Sequence, residues 1–143
     1  MTDPKERHLD LGCGDGYFLK RSPCRDCWGL DLIYGDRFDE ALPVPDDCFD
    51  YVTMLAVLEH LEYPGQVFRE VHRVLKTGGK FIFTTPKGKG EWLMHLYAGE
   101  EELDHYRYYD REAVLELSRG LFQPEVARTF LLRLNQVFSL RKI

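Results

Sequence analysis

The sequence predicts an α/β fold, a doubly wound and mostly parallel sheet with a C-terminal antiparallel hairpin. Three observations carry this. Residues 8–17, HLDLGCGDGY, pass from a short apolar strand through three alternating glycines into residues able to open a helix. The run Tyr51-Val52-Thr53-Met54-Leu55-Ala56 is almost continuously apolar, as a central parallel strand covered on both faces must be. Strand-like and helix-like segments then alternate, which implies crossover units of one parallel sheet.

The glycine loop comes first because the rest is arranged around it. Glycine is needed where the backbone turns with positive φ, or where a ligand must lie against the main chain with no Cβ between them. Free N–H groups and the positive dipole end at a helix start favour an electron-rich ligand group. Dinucleotide-binding loops follow G-x-G-x-x-G. Here the spacing is G-x-G-x-G, and Tyr17 stands where the third glycine belongs, which argues against that reading.

LDLGCGDG, residues 9–16, resembles motif I of the class I S-adenosylmethionine-dependent methyltransferases, which have a Rossmann-like fold. The resemblance implies S-adenosylmethionine as cofactor and a bound set that includes Asp10, Gly12, Cys13, Gly14 and Gly16. It makes methyl transfer to a small-molecule acceptor the leading function. The alternative is a domain that kept the fold or the cofactor pocket and serves as a regulatory or partner subunit.

The first strand spans residues 6–11, with Leu9 and Leu11 on one face. Members of this family carry an N-terminal helix over the cofactor, so with about five residues ahead of the strand the site is expected to be open. Ser22-Pro23 stops the next helix early, since proline disfavours helical geometry in the residue before it. A second strand follows at residues 27–33. Asp31 lies 21 residues after Asp10, close to the offset at which an acidic side chain accepts from ribose hydroxyls. The resemblance makes Asp31 the ribose ligand, with Leu32 beside it.

Only Leu32, Ile33 and Tyr34 separate Asp31 from Gly35-Asp36. The family's next helix and edge strand are therefore expected to be missing. A competing register takes residues 28–34 as the third strand and makes Asp36 the carboxylate that reaches the adenine amine. Residues 37–50, RFDEALPVPDDCFD, resemble the family's proline-containing loop beside the adenine pocket, with turn chemistry at Pro43, Pro45 and Asp46-Asp47.

The strand at 51–56 feeds Val57-Leu58-Glu59-His60-Leu61, and the resemblance places Leu55 at the cofactor. Glu59-His60 resembles part of an E-x-x-E-H run found in ubiquinone-pathway O-methyltransferases, but Ala56 replaces its first glutamate. In those enzymes the run is associated with a divalent metal, so His60 is a candidate base or ligand beside a structural or capping role. Pro64 suits the first position of a helix, and Val67, Phe68, Val71, Val74 and Leu75 give it an apolar face. Gly78-Gly79 is expected to end it, and a strand follows at Lys80–Thr85. LKTGGKFIFTTP resembles the family's L-K-P-G-G-x-L.

Residues 87–110 are less regular and are expected to carry acceptor specificity. Glu91–Tyr97 has the spacing of an amphipathic lid helix with Trp92, His95 and Leu96 on one face. His105 and Tyr106 lie in a ring-rich run and are candidate catalytic residues, against simple packing of a lid. Asp110 is a good N-cap for a helix through Leu117 that ends at Gly120. Strands near 125–132 and 135–141 form the terminal hairpin.

Composition bounds the alternatives. A chain of 143 residues suits one domain and buries about 70% of its unfolded surface, and 44% hydrophobic content supplies a core. A net charge of −5 without a basic stripe disfavours nucleic acid. No apolar run reaches the roughly 20 residues of a membrane span, and the polar start is unlike a signal peptide, so cytoplasm is the expected compartment. A homodimer is left open. Cys24-Arg25-Asp26-Cys27 has the spacing of half a zinc site or of a redox pair. No second C-x-x-C or H-x-x-x-H completes four ligands, so no metal is assigned and ordinary thiols are expected.

Overall fold

The computed structural model describes residues 6–24, 26–31, 37–38, 40–87, 107–131 and 133–143. Six strands form one sheet: β1 (Arg7–Leu11), β2 (Asp26–Leu30), β3 (Phe49–Leu55), β4 (Leu75–Pro86), β5 (Phe122–Phe130) and β6 (Asn135–Lys142). The order is β2-β1-β3-β4-β6-β5. The first four strands are parallel, and β6 pairs antiparallel with both β4 and β5. The sheet thus ends at β2 among the described residues, as the short Asp31–Asp36 interval led us to expect.

Parallel pairing of β1 with β2 runs from Arg7↔Asp26 to Leu11↔Leu30. That seats residues 26–30 as the second strand and removes the competing register that placed a third strand over 28–34.

Helices α1 (Pro64–Val74) and α2 (Arg111–Ser118) cover one face of the sheet. Val67, Phe68, Val71 and Val74 of α1 are fully buried against Leu9, Leu11, Val52, Met54, Phe81, Phe83 and Leu140. Phe68 packs edge-on to Phe81 and Phe83 with ring centroids 5.3 and 5.6 Å apart. Asp110 accepts from Ala113 N at 2.8 Å and caps α2 as its position predicts. Strand residues between the buried ones, including Tyr51, Ile82, Val137 and Ser139, are half-buried on the other face.

Several boundaries differ from the sequence expectation, β2 ending at Leu30 rather than residue 33 and β3 starting at Phe49, and the end of α1 and the start of β5 do so for nonlocal reasons. α1 ends at Val74, and the backbone is extended from Leu75. Gly78-Gly79 lies within β4, where the register jumps from Phe49↔Leu75 to Tyr51↔Lys80 and Gly78 takes φ +80°. The glycine pair serves an irregular strand and not a helix end. β5 begins at Phe122 despite Pro124, because an outermost strand has a side on which a missing N–H costs no ladder bond.

The segment after Gly16 is only a 3-10 turn, Leu19–Arg21, with no buried side chain. The structure also joins Cys24 and Cys27 as a disulfide, with Cα atoms 6.0 Å apart, where the sequence led us to expect ordinary thiols. The C-x-x-C turn brings the two within the span a disulfide requires.

Candidate functional site

β1, β2 and β3 all end at one edge of the sheet, and the segments that follow them meet there. The loop after β1 is folded by its own main chain. Gly12 N and Cys13 N both donate to Leu30 O, at 2.8 and 3.2 Å, and Gly16 N donates to Cys13 O at 2.8 Å. Gly12 has φ +84°, and a β-carbon there would overlap Val57 Cγ2. Glycine is required at this position for both conformation and space.

Gly29, inside β2, is the other glycine set by a close approach. A β-carbon there would stand 2.7 Å from Cys13 Sγ and 2.8 Å from Leu19 Cδ1. The sequence signal was a glycine in a strand interior, which often marks such an approach.

Asp31 follows the last residue of β2, and its Oδ2 accepts from Gly14 N at 2.7 Å. The strand tip is thereby tied to the loop. Asp10 is 3% exposed and accepts from Thr53 Oγ1. Burial raises its pKa, with the Asp31 charge adding to the rise and the Thr53 hydrogen bond opposing it. Two carboxylates therefore flank one glycine loop. Beyond Gly14 a β-carbon would meet nothing within 4 Å among the described residues, so the outer side of the loop offers backbone that a ligand can approach closely.

Leu55 is the half-buried last residue of β3. Ala56 follows in a left-handed conformation, φ +55°, and its N–H donates to Thr84 Oγ1 at 3.0 Å. Backbone strain of this kind clusters at functional sites. A 3-10 turn, Leu58–His60, comes next. His60 is exposed, and partial burial of its ring lowers its pKa.

Glu59 is the buried member of that pair, at 4% exposure, and burial raises its pKa. Its Oε2 and the hydroxyl of Tyr109 are both buried without a hydrogen-bond partner among the described residues. Arg107 N donates to Glu59 O at 3.0 Å and docks the chain before α2 against this turn. A sequence pattern that favours histidine as a base gives no hint of this burial, and the segment that docks here lies some fifty positions away.

Asp10, Gly12, Cys13, Gly14, Gly16 and Asp31 are thus brought together, with Leu55 at the end of β3. Leu32, Asp36, His105, Tyr106 and the segment containing Trp92, His95 and Leu96 lie outside the described residues. No helix among the described residues is long and apolar enough to cross a membrane.

A family model described as a methyltransferase domain matches residues 2–120. The chain is 43% identical over 53 residues to a demethylmenaquinone methyltransferase of Lysinibacillus sphaericus, covering 37% of this chain and 22% of that one. It is 30% identical over 130 residues to the mitochondrial ubiquinone biosynthesis O-methyltransferase of Candida albicans, covering 72% and 39%. The chain therefore spans less than half the length of these curated relatives. A SAM-dependent methyltransferase from Thermotoga maritima shares the fold, with TM-score 0.75 and 17% identity over 98% of this chain and 84% of that one.

Proposed function

Because the chain belongs to the methyltransferase domain family, we propose that it transfers a methyl group from S-adenosylmethionine to a small-molecule acceptor. Family and fold support S-adenosylmethionine as the cofactor. The observation that carries the assignment is the bond from Gly14 N to Asp31 Oδ2, which fixes an acceptor-only carboxylate beside an open glycine backbone. Ribose hydroxyls suit that carboxylate, and the space beside Gly14, clear of described atoms within 4 Å of a β-carbon built there, suits an adenosyl group.

The cofactor supplies an electrophilic methyl on a positively charged sulfur, and the charge is lost as the methyl moves to the acceptor. The chain's own task is then chiefly to position the acceptor in line, and proximity and orientation supply most of such an acceleration. Gly12, Cys13, Gly14 and Gly16 form the cradle, Asp10 and Asp31 place carboxylates at its ends, and Leu55 borders it from β3. Leu32 and Asp36 belong to the same proposed set by their position after Asp31.

A base is needed only if the acceptor is an un-ionised hydroxyl or a protonated amine. His60, His105 and Tyr106 remain the proposed candidates. Glu59 joins them, because a carboxyl with a raised pKa can exchange a proton nearer neutrality. The quinone-pathway relatives support a small acceptor.

A second reading, a non-catalytic partner subunit, is favoured by one observation: the 3-10 turn after the glycine loop, Leu19–Arg21, buries no side chain, so this part of the cofactor face is sparsely built. Calorimetric titration of S-adenosylmethionine and S-adenosylhomocysteine into wild type and Asp31→Ala tests the cofactor site. Micromolar binding, about 8 kcal/mol, weakened at least about tenfold by the substitution supports it. No heat with either ligand from folded protein refutes it, and binding without turnover across an acceptor panel selects the second reading.

A further inference from the structure

The sheet face opposite the two helices carries a separate cluster at the other end of the strands. Parallel strands are usually joined by a helix that packs on the sheet. Here residues 12–25 make the crossover from β1 to β2, and their 3-10 turn anchors no side chain in the core. Cys24 lies at the end of the crossover and Cys27 is the second residue of β2, while His8 projects from the start of β1. The two sulfurs and a ring nitrogen of His8 all lie within 4.8 Å of one another. His8 is only 6% exposed. A cavity of about 250 Å³ lined by His8, Ser22, Pro23, Tyr51 and Thr53 adjoins them.

Neighbouring hydrogen bonds decide which nitrogen of His8 is available. Thr53 Oγ1 donates its single hydroxyl proton to Asp10 Oδ1. Thr53 Oγ1 must then accept from His8 Nε2, 2.8 Å away. That makes Nε2 the protonated nitrogen and leaves the lone pair on Nδ1, which faces Ser22 Oγ at 3.4 Å. A metal-bound imidazole needs this arrangement, with one nitrogen donating outward and the other presenting its lone pair.

We propose that His8, Cys24 and Cys27, with both cysteines as thiolates, bind a divalent metal ion of the zinc class, the fourth position being left to solvent. Ligand atoms around one tetrahedral zinc stand about 3.5 to 3.8 Å apart, given bond lengths of about 2.3 Å to sulfur and 2.0 to 2.1 Å to nitrogen. The three ligand atoms, all within 4.8 Å of one another, need only small side-chain adjustments to reach that spacing once the sulfur–sulfur bond is reduced. Each ion taken up displaces the two thiol protons, and no other change of charge or electrons accompanies binding. The ion clips a crossover that has no core of its own to β1.

The test uses the full chain, stripped with a chelator and kept reduced by a phosphine, which converts the disulfide to two thiols as it takes up oxygen from water. Cobalt(II) is titrated and then displaced with zinc. Expected are one equivalent of cobalt, an intense thiolate-to-cobalt absorption, visible bands of a tetrahedral ion, and release of about two protons. Cys24→Ser, Cys27→Ser and His8→Ala should each weaken uptake at least about tenfold, and Thr53→Val roughly 10- to 100-fold. Cys48→Ser should leave it unchanged. Reduced wild type with titratable thiols and no cobalt absorption overturns the proposal, whether or not the variants fold. Wild-type affinity in folded His8→Ala overturns the histidine ligand and with it the site as drawn.

Discussion

Replacing Gly12 with alanine tests the construction of the cradle most directly. The residue has φ +84°, and the added carbon would run into Val57 Cγ2. Holding an alanine in that backbone region costs about 1 to 2 kcal/mol. Val57 is 9% exposed, so forcing it aside is overpacking worth about 1 to 3 kcal/mol. Together the loss is about 2 to 5 kcal/mol, out of a total stability on the order of 5 to 15. At roughly 3 °C per kcal/mol for a domain of this size, melting should fall by about 6 to 15 °C. A double-mutant cycle with Val57→Ala separates the two causes, since the smaller side chain removes the clash and leaves the backbone cost. The coupling should be about 1 to 3 kcal/mol and favourable. Melting within about 1 °C of wild type, or zero coupling, would refute the geometry on which the site rests.

Substitutions at two further positions, Glu59 and Arg73, examine other features. Glu59 has a raised folded pKa, so its favourable contribution is complete below its ordinary value near 4.5 and is lost as pH rises through the folded value. Glu59→Gln should therefore be more stable than wild type at pH 8, with the difference fading toward pH 4, and parallel pH profiles in denaturant melts would count against a buried carboxylate. Arg73 donates to Leu42 O, Val44 O and Glu70 at 2.7 to 3.1 Å, tying the loop before β3 to α1. Arg73→Ala should cost about 2 to 4 kcal/mol, chiefly from stranded carbonyls and Glu70, since Asp46 at 70% exposure adds little. Arg73→Lys should recover only a minor part in urea melts, because one ammonium cannot span the planar fork of contacts; full recovery would refute this.

Much of this arrangement was legible in the chain because the signals are local. HLDLGCGDG announces strand and loop within nine residues, Asp31 follows at a fixed offset, and Asp110 caps its helix from one position away. Features that depend on pairing were harder to read. Gly78-Gly79 resembles a helix stop until β4 is laid beside β3 and the extra residues fall into the strand. Cys24 and Cys27 look like half a set because the histidine beside them sits on the adjacent strand, paired through His8↔Cys27. Glu59 and His60 are neighbours in sequence with opposite environments, Glu59 buried where the chain at Arg107 docks and His60 exposed, and no short motif contains that docking.

The loop between β1 and the 3-10 turn is held by amide groups donating to Leu30 O, Cys13 O and the Asp31 carboxylate. Main-chain groups are common to all residue types, so these bonds persist through many side-chain changes, within the limits set by the close approach of Cys13 to Gly29 and the Asp15 carboxylate that accepts from Tyr17 N. The same construction offers few handles for retuning. A library that varies side chains around this loop should yield many folded proteins with one ligand preference. Altering that preference calls for moving the backbone itself, by lengthening the loop or shifting the register of β2 against β1.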